Sequence, residues 1–456
     1  MKLNRLMFRE YDIRGIWNED ITEEISYHIG RAYATKLLSF GKNKMIVGYD
    51  NRLSSPIIEE NLVKGLTDGG VNVVRLGLVT TPMYYYAWDK LNIYAGIMIT
   101  ASHNPKEYNG FKMSYNGIHN MFGKDVSDLY YVIINGIYSE GNGMIEYADI
   151  KEDYVKMIHN HIDMGNNKLK VVYDCGNGTT SIVAHDIFKS NEYIEYIPLF
   201  DESDGTFPNH HPDPAVEENL KQLKEKVLEV KADCGIAFDG DGDRVGVVDN
   251  RGNMIPIDKF MIIIWRDIYN KVTKKEGFFD VKCSKALKDE LIKLGVKPVE
   301  TRTGNSYTKK ISVENDYPFG GEMSGHLYFR DKFIGNDDGI YAGLRLVEIL
   351  SKTNKKCTEL LDNIPVYYST DENKVPVEDA IKDKIVSRVE EYAKEKGYNY
   401  LTIDGVKVLY DDGFALVRKS NTTPNITTRY EAKTKERLEE ITNEYNSLLD
   451  KLKEEE

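Results

Sequence analysis

Short apolar runs alternate with amphipathic stretches along most of this chain. Met45-Ile46-Val47-Gly48-Tyr49-Asp50 predicts a buried strand, and a helix follows near residues 55–69. Strands are expected at 73–76 and 96–100. A second copy of the unit opens at 169–174, takes Gly176-Asn177-Gly178 as its loop and 179–188 as its helix, and ends on an acidic turn. A third opens at 278–282, followed by a helix at 285–294 and an extended piece at Val299-Glu300. Strand and helix alternating in this way imply mostly parallel sheets, with ligands collecting at the carboxyl ends of strands.

The last ninety or so residues follow another pattern. A helix is expected near 377–396, then the stretch 401–408 with its Asp404-Gly405 turn, a second Asp-Gly turn at Asp412-Gly413, and the strand 414–417. Such turns between alternating strands indicate antiparallel hairpins. A terminal helix sets Leu438, Ile441, Tyr445, Leu448 and Leu452 at three- and four-residue steps, so one face packs. The fold class is α/β: three related mixed-sheet α/β domains (residues 1–150, 151–253 and 254–367) and a C-terminal α+β domain (368–456).

One turn carries unusual chemistry. Asp239-Gly240-Asp241-Gly242-Asp243-Arg244 holds carboxylates at every second position, between the apolar runs 235–238 and 245–248. On an extended segment that spacing turns the three side chains to one side. Like charges held that close repel unless a cation lies among them. Hard oxygen ligands suit Mg²⁺ or Ca²⁺ better than Zn²⁺. An EF-hand is excluded, since its sixth and twelfth positions hold Arg244 and Asn250. An ordinary solvated Asp-Gly turn is the competing reading.

Composition narrows the function classes. At 456 residues the chain splits into several domains. The apolar fraction is 41% and the charged fraction 29%, as in a soluble folded protein. A net charge of -13 argues against nucleic acid as a partner, while a local basic pocket for a phosphorylated substrate stays open. Cys175, Cys234, Cys283 and Cys357 form no CxxC pair, which argues against a zinc site and a disulfide framework and suits a reducing cytoplasm. The N-terminus lacks an apolar signal segment, and the longest apolar runs are too short to span a bilayer. No membrane partner is expected.

Four further stretches are candidates. Thr100-Ala101-Ser102-His103-Asn104-Pro105 follows a buried strand, where a nucleophile or phosphate carrier belongs; an Asn-Pro turn with a capping serine is the plainer reading. Lys112, just beyond it, and Arg14, in Tyr11-Asp12-Ile13-Arg14-Gly15, are cations able to neutralise a phosphate. Gly320-Gly321-Glu322-Met323-Ser324-Gly325-His326 joins a carboxylate and a hydroxyl, suited to sugar hydroxyls, with an imidazole that can move a proton. Arg418-Lys419-Ser420-Asn421-Thr422-Thr423-Pro424 follows a strand and offers a forked cation and hydroxyl donors for a phosphate. Each of these is also compatible with a polar loop.

Taken together and in this order, the four motifs resemble those of the α-D-phosphohexomutases, and among them the phosphomannomutase/phosphoglucomutase group. The resemblance runs from Tyr11 to Ala432, nearly the whole chain. It implies four domains around a central cleft and a cytoplasmic enzyme. The implied reaction interconverts hexose 1-phosphate and hexose 6-phosphate, of mannose or glucose, through a phosphoserine and a hexose 1,6-bisphosphate.

Carried over by residue, the resemblance implies that Ser102 carries the phosphate and that Asp239, Asp241 and Asp243 bind one Mg²⁺ together with it. Arg244 lines the same site. Lys112, Arg14 and His326 assist proton transfer or charge neutralisation. Glu322 and Ser324 hold the sugar hydroxyls, and Arg418, Ser420, Asn421 and Thr422 grip the non-reacting phosphate. Lys282 and Tyr11 face the substrate. Hexose 1,6-bisphosphate is the implied activator. The oligomeric state stays open, a monomer being favoured. Many relatives carry histidine where Thr303-Gly304-Asn305-Ser306 has Asn305, and an amide cannot shuttle a proton. Phosphoglucosamine mutase is the nearest alternative and a metal-dependent sugar-phosphate phosphatase the next. A non-catalytic sugar-phosphate sensor would not need both Ser102 and the Asp triad.

Overall fold

A computed structural model of the chain describes residues 3–117, 119–378, 380–420 and 424–455. These fold into two compact units. The first takes the chain up to Ile257 together with Asn305–Asp316 and Ser324–Leu360; the second takes Asp258–Gly304, Tyr317–Met323 and the chain from Leu361 onward.

The first unit holds two sheets. One is built from β1 (Ile13–Ile16), β2 (Lys44–Tyr49), β3 (Asn72–Leu78), β4 (Gly96–Ile99), β5 (Tyr108–Ser114) and β6 (Ile145–Tyr147), in the order β1-β5-β4-β2-β3-β6. Strands β2, β3, β4 and β6 are parallel, while β5 runs antiparallel between β1 and β4. The β4–β5 return matters most for function. It pairs Ile99 with Phe111 and Met98 with Lys112, so residues 100–107 form a loop at the carboxyl end of β4.

Two helices cover one face of this sheet. Helix Glu23–Ser39 begins where the Thr22 side chain accepts from the Ile25 N–H, and it buries Ile25, Ile29, Tyr33 and Leu37. Helix Ser55–Asp68 answers with Ile58, Leu62 and Leu66. Glycine is required where the two cross. A Cβ on Gly30 would stand 2.3 Å from Leu62 O, and one on Gly65 would stand 2.1 Å from Tyr27 O.

The second sheet is built from β7 (Leu169–Asp174), β8 (Ile194–Leu199), β9 (Cys234–Phe238), β10 (Val245–Asp249) and β11 (Met254–Ile255), ordered β11-β10-β9-β7-β8. Strands β9 and β10 form an antiparallel hairpin in which Phe238 faces Val245, and residues 239–244 are its turn. Every residue of both strands is buried, so the turn is anchored by core on each side.

In the second unit, β12 (Glu276–Asp280) pairs in parallel with β13 (Lys297–Thr301) and β14 (Phe319–Gly321). Strand β15 (Leu327–Phe329) belongs to the first unit. The C-terminal sheet holds β16 (Tyr368–Ser369), β17 (Asn373–Pro376), β18 (Asn399–Leu401), β19 (Val406–Tyr410), β20 (Gly413–Lys419) and β21 (Asn425–Ala432), antiparallel throughout. Helices Lys382–Glu395 and Lys435–Glu455 close its core with Ile385, Val389, Ile441, Tyr445, Leu449 and Leu452.

Two expectations need correction. The helix placed near 377–396 begins only at Lys382, because Asn373–Pro376 pairs with β21 and the Val377 N–H goes to Pro424 O. On the terminal helix Leu449 is fully buried, while Leu438 and Leu448 pack at the edge of that core. Positions 448 and 449 both fall within a three- to four-residue step of Tyr445, so the helical period leaves them equivalent and packing decides between them. Among the described residues, no helix is long and apolar enough to cross a membrane.

Candidate active site

The serine loop is strained where it matters. Ser102 has φ +51°, a left-handed conformation that costs a non-glycine residue about 1 kcal/mol or more. Its N–H donates to Thr100 Oγ1 at 2.8 Å, and Thr100 N–H donates to Gly110 O at 3.0 Å. Held this way, Ser102 Oγ donates to Asp239 Oδ2 at 2.9 Å and lies 3.3 Å from His103 Nδ1. The serine is only 2% exposed.

The acidic turn does not work by extended alternation, as its spacing suggested. The chain reverses within it, with Gly242 at φ +83°. The N–H groups of Gly242 and Arg244 each donate to Asp239 Oδ1 at 3.1 Å. The three carboxylates therefore converge by turning. Asp239, Asp241 and Asp243 are all fully buried, and they offer ligand atoms within 4.8 Å of one another.

Lys112, delivered by β5, donates to Asp241 Oδ2 at 2.7 Å and to Asp243 Oδ2 at 2.5 Å. Thr81 and Thr100 add hydroxyl bonds to Asp241 Oδ2 at 2.6 and 3.2 Å. Burial alone would lower the lysine, but the three carboxylates outweigh it and hold the ammonium well above its usual range. Burial also works to raise Asp241, yet Lys112 and Thr81 hold that carboxyl far below the usual range. Asp239 goes the other way: burial pushes it well up, and repulsion from Asp241 and Asp243 adds to the rise. Asp243 is raised by burial and by Asp241.

Lys112, and Arg244 at 3.9 Å from Asp239 Oδ2, bring two positive charges to three carboxylates. Among the described residues, Asp241 Oδ1 and Asp243 Oδ1 are buried without a hydrogen-bond partner. Two orphaned anionic oxygens beside Asp239 and a serine hydroxyl form a donor set that fits a divalent cation with oxygen ligands.

Arg244 Nε donates to His326 Nε2 at 2.9 Å. A guanidinium only donates, so Nε2 accepts and the ring proton sits on Nδ1, facing Asp337 Oδ2 at 2.9 Å. Asn305 donates its amide to the same Asp337 oxygen. Arg14 bonds Asn104 Oδ1 at 2.6 Å and Asp12 Oδ2 at 2.5 Å, which ties it to the serine loop. Tyr11 lies half-buried on the segment just ahead of β1, and Ser324 is half-buried in the first unit.

The second unit gathers another polar cluster. Glu322 is buried and its Oε1 accepts the Gly304 N–H at 2.6 Å. Lys282 Nζ lies 3.2 Å from Glu372 Oε2 and 4.0 Å from Asp280 Oδ2. Burial would lower Lys282, but Asp280 and Glu372 outweigh it and raise the group. Arg418 makes a two-point contact with Asp404 Oδ2, at 2.9 Å through Nη2 and 3.0 Å through Nε. The Ser420 carbonyl accepts from Lys382 Nζ at 2.8 Å. Asn421 and Thr422 lie outside the described residues.

Reading the sequence passed over Asp337 and Lys309. Asp337 sits in an Asn336-Asp337-Asp338-Gly339 run that could have been flagged as a polar loop. Lys309 gives no such sign, being one lysine of a pair on helix Asn305–Glu314. It is fully buried and, among the described residues, has no hydrogen-bond partner, its ammonium 3.0 Å above the Tyr85 ring and 4.6 Å from that of Trp88. Burial lowers it to about 7, although Asp337 and Asp243 pull the other way.

Known proteins share this organisation. Models of the phosphoglucomutase/phosphomannomutase alpha/beta/alpha domains I, II and III match residues 5–127, 152–252 and 256–368, and that of the C-terminal domain matches 372–447. A phosphomannomutase/phosphoglucomutase of Pseudomonas syringae pv. tomato is 41% identical over 446 residues, covering 98% of this chain and 95% of the relative. A phosphoglucomutase of Neisseria gonorrhoeae is 38% identical over 458 residues, covering 98% and 97%. The crystal structure of a phosphoglucomutase/phosphomannomutase family protein from Burkholderia thailandensis matches with TM-score 0.92 at 36% identity, over 99% of this chain and 98% of that one. With four domain models matched in order and full-length relatives above the level that secures common ancestry, this chain belongs to the phosphoglucomutase/phosphomannomutase family.

Proposed function

We propose that this protein is a phosphohexomutase that interconverts hexose 1-phosphate and hexose 6-phosphate, with mannose and glucose as the sugars, through a phosphoserine at Ser102. The observation that carries the reading is the 2.9 Å contact from Ser102 Oγ to Asp239, inside a buried triad with two orphaned carboxylate oxygens. The chain is read as four domains divided near residues 150, 253 and 367, acting in the cytoplasm without nucleic-acid or membrane partners.

In the first half-reaction the P–O bond to Ser102 breaks, and the phosphoryl group passes to the free hydroxyl of the bound sugar phosphate. That hydroxyl loses its proton to a base while the departing Ser102 Oγ takes one up, with His326, Lys112 and Arg14 assisting proton transfer or charge neutralisation. A hexose 1,6-bisphosphate results. In the second half its other phosphoryl group passes to Ser102 Oγ, which gives up its proton, and the sugar oxygen left behind takes one. Free hexose 1,6-bisphosphate recharges any serine that loses its phosphate, which makes it the activator.

Phosphoryl transfer asks for positioning and charge neutralisation more than for covalent help. Asp239, Asp241 and Asp243 would hold one Mg²⁺, which would supply Lewis-acid neutralisation of the phosphoryl charge. Lys112 adds a fixed positive charge, and Arg244 keeps the Nε2 lone pair of His326 turned toward a donor. Arg14 steadies the serine loop through Asn104. Glu322 and Ser324 hold sugar hydroxyls, Lys282 and Tyr11 contact the substrate, and Arg418, Ser420, Asn421 and Thr422 grip the phosphate that does not react.

The test offers glucose 1-phosphate, mannose 1-phosphate and glucosamine 1-phosphate, each with a trace of the matching 1,6-bisphosphate, and compares kcat/KM. Isomerised glucose and mannose phosphates are expected. Preference for the amino sugar would make it a phosphoglucosamine mutase, and release of inorganic phosphate alone would make it a phosphatase.

A further inference from the structure

Arg52 lies in the bend between β2 and helix Ser55–Asp68, outside every motif discussed above. It is 1% exposed, and all of its side-chain nitrogens donate within the protein. Nε donates to Asp50 Oδ2 at 3.1 Å. One terminal nitrogen donates to the carbonyls of Pro105 and Tyr108 at 2.6 and 3.1 Å. The other donates to the carbonyls of Ser102 and Asn104 at 2.8 and 2.7 Å. A single guanidinium thus gathers four carbonyls of one loop, the loop that carries Ser102.

The surroundings hold the guanidinium still. Asp50 Oδ1 accepts from the Arg52 N–H and from Ser55 Oγ. The Phe207 ring covers the guanidinium at 5.3 Å. Gly205 presses so close that a Cβ there would stand 2.9 Å from Arg52 Cα. The Ser102 carbonyl is confined from a second direction as well, since a Cβ on Gly240 of the acidic turn would stand 2.5 Å from it.

Burying a charged group is costly and persists where its hydrogen bonds are all made. Only a planar fork can reach two pairs of carbonyls at once; a lysine ammonium radiates its donors from one point and a glutamine amide has two. The left-handed φ of Ser102 persists because its neighbours over-determine it. We propose that Arg52 is the positioning residue of the phosphoryl-carrying serine. By drawing the carbonyls of residues 102, 104, 105 and 108 inward, it fixes the backbone so that the Ser102 side chain points outward at Asp239. Arg52 touches neither Oγ nor substrate and acts through the main chain. The proposal rests on the phosphoserine reading of Ser102.

The test compares Arg52→Lys and Arg52→Gln with the wild-type enzyme. A misplacement of the order of 1 Å costs about 100-fold in rate. Both variants are therefore expected to lose about 100-fold in kcat while KM for hexose phosphate changes less than about 3-fold. Intact-mass time courses with hexose 1,6-bisphosphate should show Ser102 charging slowed by a similar factor. Leu66→Ala, a core change in the same unit, controls for stability: it lowers the melting temperature and leaves kcat unchanged. If the Arg52 variants do not fold, Asp50→Asn, which removes only the Nε anchor, should still lower kcat about 3- to 10-fold at constant KM. Unchanged kcat in a folded Arg52 variant, or in Asp50→Asn when no Arg52 variant folds, overturns the proposal. An inactive wild type that never gains a phosphate would instead overturn the reading of Ser102.

Discussion

Ser102 Oγ donates to Asp239 Oδ2 at 2.9 Å although 137 residues of chain separate the two. The serine arrives on a loop of the first sheet and the carboxylate on a hairpin turn of the second. Their contact binds the hydroxyl to the acidic turn.

Ser102→Ala removes the proposed phosphate carrier while leaving the loop's carbonyl contacts to Arg52 intact. Mutase turnover should fall by about 1,000-fold or more, and the intact mass should gain no phosphate from bisphosphate. Turnover near the wild-type rate would contradict the phosphoserine mechanism.

The triad makes a pH-dependent prediction. In the metal-free protein, folded Asp239 and Asp243 keep protons that the unfolded chain loses above about pH 4. These two groups therefore make stability fall as pH rises from there toward their raised values. Asp241, held low, contributes stability above about pH 4 that is lost as pH falls. A divalent cation bound by the triad would displace the retained protons, so Mg²⁺ affinity should climb as pH increases over that same window. Titration calorimetry from about pH 5 to 7 reads this directly, and flat affinity would contradict it. Asp239→Asn should raise metal-free stability above about pH 4 and weaken Mg²⁺ binding.

Lys309 makes a prediction of the opposite sign. Its folded form titrates at about 7, below the range of an unfolded lysine. The unfolded state binds the extra proton between those values, so this residue makes stability rise with pH from about 7 to about 10. Lys309→Met fills similar volume without charge. It should stabilise the protein at neutral pH by about 1–3 kcal/mol and flatten that rise. Urea unfolding at about pH 6, 8 and 9.5 checks it; an unchanged slope would refute the burial argument.

Arg418 is matched to Asp404 by two hydrogen bonds before any substrate is present. Arg418→Ala should raise KM for hexose phosphates about 10- to 100-fold and lower kcat less. Asp243→Ala should do the reverse, chiefly lowering kcat. Steady-state kinetics on both variants separates the two roles, and an Arg418 variant with normal KM would remove that residue from the phosphate grip.

Much of the fold was legible because local pattern and tertiary structure agree. The apolar runs at 45–49, 96–99, 169–174 and 234–238 are strands, and the Asp412-Gly413 turn joins an antiparallel pair. Within the candidate site, Asp239, Asp241, Asp243, Ser102 and Lys112 were visible because each stands in or beside a short motif with its own chemistry. Asp337, Lys309 and Arg52 were not. Each looks like an ordinary polar residue until distant chain segments remove its water.

What the sequence alone determined is therefore the chemistry available locally: carboxylates on a glycine-rich turn, a hydroxyl at a strand end, and glycines where two helices cross. Tertiary structure decided which of these groups meet, which helix face sinks deepest, and which ring nitrogen of His326 holds the proton. It also decided that Lys309 is left without an acceptor while Arg52 finds five. The physical reason is that desolvation and hydrogen-bond partnership belong to pairs of residues far apart in the chain, and no single stretch of sequence encodes them.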